Sequence, residues 1–179
     1  MQTPSLSDPD QQMLLHDVAD RINTVADHLP LPDQVHPGPG LSEILDDEVR
    51  HLARLLGYLA SESAFRHRAT TRYPHQVTPS QRRTALALAH AAEPAGAALA
   101  ALGGAIHCLG ILADLNHQAS NRASNRTVAT AHQQLVDRLA ESRAHLARAA
   151  KQLRTAADVR SIRPAPAPAP PTAAPNRTR

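Results

Sequence analysis

Tryptophan is absent from this chain, and Phe65, Tyr58 and Tyr73 are its only aromatic residues. A core must therefore be assembled from Leu, Ala, Val and Ile, small aliphatic side chains that suit close helix packing. A single cysteine, Cys108, excludes an internal disulfide and any zinc site built on several thiolates. Lysine is nearly missing as well: the positive charge comes from eighteen arginines and Lys151 alone. With abundant Ala and Pro, that bias is the mark of GC-rich coding and weakens any functional reading of an individual arginine. No stretch alternates with period two for long enough to suggest a sheet. There is no nucleophile elbow, phosphate loop, dinucleotide fingerprint or His-Glu-x-x-His, so the residues give no support to an enzyme and imply no cofactor. The first residues lack a basic stretch followed by an apolar one, and the expected location is the cytoplasm.

What is present fits one helical domain. The 179 residues carry a formal charge of +3, which permits nucleic-acid binding without demanding it. Ser7-Asp8-Pro9 supplies a cap and a proline for a first helical position, after which Leu15, Val18, Ile22, Val25 and Leu29 recur at steps of three and four. Pro30 ends this first helix, and four prolines and two glycines between residues 30 and 40 predict a loop. Ser42 is the expected cap of a second helix carrying Leu45, Val49, Leu52, Leu56 and Leu59 to about Arg68. Thr78-Pro79-Ser80-Gln81 combines a capping box with proline at the first helical position and predicts the start of the third. Pro94 is expected to kink or split that helix. Beyond it Ala95, Leu99, Leu102, Ile106, Leu109 and Ala113 continue the stripe. Residues 119–126 read Ala-Ser-Asn-Arg twice and predict a turn. The fourth helix then carries Val128, Ala131, Leu135, Leu139, Leu146, Ala149 and Leu153 to about Arg160, with Ser142 interrupting its apolar line.

Four such stripes have no stable home in water unless they face one another, and short connections favour antiparallel neighbours. The fold expected is all-α: an up-down-up-down four-helix bundle over residues 8–162, between a disordered start (1–7) and a disordered Pro/Ala-rich tail (163–179). A rival is an open assembly whose seams are covered only on dimerisation.

Several features are candidates for function. From Ala95 to Ala113 nineteen residues run without Asp, Glu, Lys or Arg; rich in Ala and Gly with a central His107, the run reads as a buried helix rather than a membrane span. Within it Gly96, Ala100 and Gly104 form a ridge of small residues suited to a closely approaching helix, from this chain or a second copy. Glu48 and His132 lie on the apolar stripes and are expected to form a buried polar pair across the core, with His117 near the same bundle end. Glu48-Val49-Arg50-His51 also matches the Glu-x-x-His spacing of di-iron carboxylate bundles, but only Asp114-Leu115-Asn116-His117 offers a weak second copy. No metal is therefore expected. His16, His28, His67, His75, His90 and His145 lie off the stripes or in loops and are expected to face solvent. Arg66, Arg68, Arg72, Arg82 and Arg83 crowd one bundle end, with no acid between Glu62 and Glu93, a combination suited to phosphate or an acidic protein. The leading expectation is a non-catalytic interaction or self-association module, its partner an unknown protein or a second copy. A nucleic-acid accessory protein using the arginine-rich end is the alternative, and a degenerate metal-binding bundle enzyme the third reading.

Overall fold

The computed structural model describes residues 7–117 and 122–159, the side chains of 122–124 excepted. These residues form four helices, α1 (Asp8–His28), α2 (Pro39–Arg72), α3 (Pro79–His117) and α4 (Arg122–Asp158), with a 3-10 turn at Pro32–Gln34 between α1 and α2. The predicted tail and residues 1–6 lie outside the described residues, as does the first copy of the Ala-Ser-Asn-Arg repeat apart from its final arginine. The helices form an antiparallel bundle in which α3 packs along both α2 and α4, and α1 closes the ring against α4 and α2.

Local chemistry starts two helices where the sequence predicts. At α1 the Ser7 amide donates to Asp10 Oδ2 at 3.1 Å while Ser7 Oγ accepts the Asp10 amide at 3.4 Å. At α3 the Thr78 amide donates to Gln81 Oε1 (2.9 Å) and Thr78 Oγ1 accepts the Gln81 amide (3.2 Å). The other starts differ. α2 begins at Pro39 behind Gly38, before Ser42, because proline at a first helical position lacks only a hydrogen that has no helical acceptor there. α4 begins at Arg122, so the second Ala-Ser-Asn-Arg is helical rather than a turn. The helix penalty of Ser and Asn is a few tenths of a kcal/mol each, about what growth of a long helix overrides. α3 is not split: one helix runs through the buried Pro94. Its missing N–H costs one bond, which packing on both flanks outweighs.

The large, fully buried side chains recur at seven-residue intervals: Leu15 and Ile22 on α1 with Leu29 just past its end, Leu45, Leu52 and Leu59 on α2, and Leu139, Leu146 and Leu153 on α4. Each contributes about 1.5–3 kcal/mol by leaving water. α3 answers them mostly with alanine: Ala91, Ala95, Ala98 and Ala105 join Leu88 and Leu102 with no exposed surface. Ser142, the interruption on α4, is fully buried and donates to the Ala98 carbonyl at 3.2 Å. A second buried polar tie joins α1 to α3, where Thr84 Oγ1 donates to Gln11 Oε1 at 2.8 Å.

The proline-rich connection is part of the wall. At 21 residues α1 spans about 31 Å, against roughly 51–58 Å for the other helices. The segment after it makes up the difference by lying along α4. Arg143 Nη1 donates to the Leu29 carbonyl, and His132 Nε2 lies 3.2 Å from the carbonyl of the buried Val35. Those two α4 residues are about 16 Å apart along their helix, a distance that six extended residues can cover.

Candidate interaction face

α3 is rotated relative to the sequence expectation. Its core line is mostly alanine, with Leu99 and Leu109 only half-buried, Ala113 exposed, and Ile106 keeping 43% of its surface. Nineteen uncharged residues in a row leave the helix without a polar face to fix its phase. Close contact with two neighbours then favours the smallest side chains inward.

On the outward side Gly96, Leu99, Gly103, Ile106, Gly110 and Ala113 follow one another at alternating steps of three and four, a line about 26 Å long. A Cβ placed at Gly96, Gly103 or Gly110 would meet nothing within 4 Å. Of the small-residue ridge expected from the sequence, Gly96 belongs to this line and the exposed Ala100 lies beside it. Gly104 instead faces α4 of the same chain, where a Cβ would lie 3.2 Å from both Cδ and Nε of Arg138. Arg138 in turn pairs with Glu141 at 2.8 Å. By length and composition alone α3 is also apolar enough to cross a membrane.

The expected Glu48–His132 pair is not formed. Glu48 is 5% exposed, and its Oε1 lies 2.8 Å from His28 Nδ1 at the end of α1. His132 instead meets the Val35 carbonyl, and His117 is exposed. The reason is the connecting segment: it lies along α4, and its Val35 carbonyl meets the imidazole that was expected to face the carboxylate. His28, expected in solvent, does keep its ring 57% exposed, yet one nitrogen reaches the buried acid. Among the described residues Glu48 Oε2 has no hydrogen-bond partner, and His51 Nδ1 stops 3.8 Å away. Among the described residues, no three His, Cys, Asp or Glu side chains are placed to hold a metal ion.

The five arginines at the opposite end are largely committed locally. Arg66, with 11% of its side chain exposed, forms a two-nitrogen pair with Glu62 at 2.7 and 2.8 Å. Arg72 lies over the Tyr73 ring, 5.8 Å from its centroid. Arg82 Nη2 donates to the Pro74 carbonyl at 3.2 Å and Arg83 Nε to that of Pro79 at 3.4 Å. Arg68 is exposed. Next to this cluster, burial pushes the Tyr58 phenol above its ordinary range, Glu62 adds to the effect, and Arg66 partly offsets it.

A feature the stripes did not reveal is a groove of about 450 Å³ between the first turns of α3 and the last of α4. Leu86, Ala87, Ala156 and Val159 supply apolar surface, and Arg83, His90, Arg148 and Lys151 border it. The signal was a second face of α4, positions 148, 152, 155 and 159, visible only once α3 is known to lie alongside. No family model, curated protein or solved structure matches this chain.

Proposed function

We propose that this protein is a non-catalytic helical bundle that associates with a second copy of itself through the outward face of α3. The observation that carries this reading is the uncharged line Gly96-Leu99-Gly103-Ile106-Gly110-Ala113, about 26 Å long, half-buried at Gly96 and Leu99 and exposed from Gly103 onward. The line is self-complementary. In an antiparallel pair whose two-fold axis passes between residues 104 and 105, Leu99 falls opposite Gly110 of the second copy and Ile106 opposite its Gly103. Each bulky side chain then meets a space that lacks a Cβ, in both copies at once. Glu93 and His117, exposed at the two ends of the line, come close to one another's counterparts in the same arrangement. No such relief exists in a parallel pairing, which sets glycine against glycine and Ile106 against Ile106.

Sedimentation equilibrium of the full chain tests the proposal. A dimer is expected in the micromolar range, and Gly103→Arg should be monomeric with unchanged far-UV helicity, because the added side chain enters open space in the single chain. A wild-type chain that stays strictly monomeric at high concentration overturns it.

A further inference from the structure

The groove at the start of α3 stands apart from the proposed dimer face and carries a separate reading. α3 and α4 are antiparallel with a register fixed by two contacts: Ser142 bonds the Ala98 carbonyl, and Arg138 lies over Gly104. In that register His90 sits level with Lys151, and Arg148 one turn deeper, so three basic groups gather at the inner end of the groove. Toward the bundle end the lining turns apolar, with Leu86 55% exposed and Val159 exposed beside Ala87 and Ala156. Arg83 stands at that outer end.

Charge is unbalanced here. No carboxylate lines the groove, and neither Arg148 nor Lys151 has an ion-pair partner among the described residues. Asp158, the nearest acid on α4, is directed to the other side, 3.7 Å from His16 Nε2 on α1. The chain's own C-terminal segment is a poor match by composition, since residues 160–179 contain four arginines and no acid. A fitting occupant has one anionic head and one apolar tail. From Arg83 to His90 the groove runs about 11 Å along α3, and its volume lies in the range of small-molecule sites, which suits a single short chain.

We infer that this groove binds a single-chain anionic amphiphile, its head held by His90, Arg148 and Lys151 and its tail laid over Leu86, Ala87, Ala156 and Val159. Calorimetric titration of the full chain with monomeric dodecanoate tests this, with dodecanol as the neutral probe and vesicles of an anionic phospholipid as the membrane probe. One saturating equivalent of dodecanoate is expected, with dodecanol and vesicles much weaker. The double reversal Arg148→Glu with Lys151→Glu changes two exposed side chains and should weaken dodecanoate by about tenfold or more. Ala156→Trp, which fills the floor, should weaken both dodecyl probes alike, with helicity checked in each variant. Equal affinity for dodecanol, unchanged dodecanoate binding in the charge-reversed chain, or uptake by vesicles without uptake of the monomer overturns the inference.

Discussion

Gly103 and Gly104 are neighbours in one helix, yet replacing each by alanine should have different results. Both lose the conformational freedom that glycine brings to the unfolded chain, a gain of about 0.5–1 kcal/mol where the new methyl fits. At Gly103 a Cβ meets nothing within 4 Å, so the whole gain is expected. In a chain of this size that is a rise in melting temperature of roughly 1–4 °C. At Gly104 the methyl lands 3.2 Å from Cδ and Nε of Arg138, and the guanidinium must give way by a few tenths of an ångström. Its ion pair with Glu141 is surface-exposed and worth under about 1 kcal/mol, so the loss is bounded and the net change should lie near zero. The melts belong at low protein concentration, since any dimer raises the transition by mass action. In the same variants, sedimentation should show Gly103→Ala weakening self-association while it stabilises the single chain. A Gly103→Ala chain that melts earlier when dilute refutes the reasoning, for it means that something in the monomer already covers this face.

Two further expectations concern titratable groups. His28→Ala strips the buried Glu48 of its one hydrogen-bonded partner and should cost about 1–3 kcal/mol in urea unfolding, most of it recovered when Glu48→Met is added; an unrecovered loss means that His28 acts through packing instead. For Tyr58 the folded state holds the phenolic proton more tightly than the unfolded chain, so this stability is complete below the ordinary phenol range and is lost as pH rises through the folded value. Absorbance titration at 295 nm in a Tyr73→Phe background should place Tyr58 higher in the native than in the unfolded chain, and coincident curves contradict the assignment.

Much of the fold was legible because three helices mix apolar and polar residues at a clear period. The line Leu15-Val18-Ile22-Val25-Leu29 is buried as the spacing implies, and Ser7 and Thr78 mark helix starts through hydrogen bonds that need only local chain. Where composition lost contrast, the reading failed. Between Ala95 and Ala113 every position is apolar, small or histidine, and nothing local says which third of the helix faces inward. The Glu48 site failed for another cause. Periodicity placed Glu48 and His132 correctly on inward lines, but it carries no information about a loop, and the course of Leu29–Val35 along α4 decided which imidazole met which oxygen.

The same loss of contrast connects the core to the proposed function. A helix lying between two others packs more closely where alanine faces inward, and in α3, where alanines outnumber the buried Leu88, Leu102 and Leu112, Leu99 is left half-buried and Ile106 exposed. An outward leucine or isoleucine alone is ordinary. What is not ordinary is that glycine occupies the intervening positions, since each glycine in a helix interior costs about 0.5–1 kcal/mol against alanine and here relieves no crowding within the chain. Gly104 has a local reason in Arg138; Gly96, Gly103 and Gly110 have none inside the bundle. A closely approaching second helix supplies one, and Leu99 and Ile106 are the side chains that fill the spaces. If Gly96, Gly103 and Gly110 are all changed to alanine and the chain still dimerises as tightly as before, that reason is gone, and the added helix stability will be the sole effect of the three methyl groups.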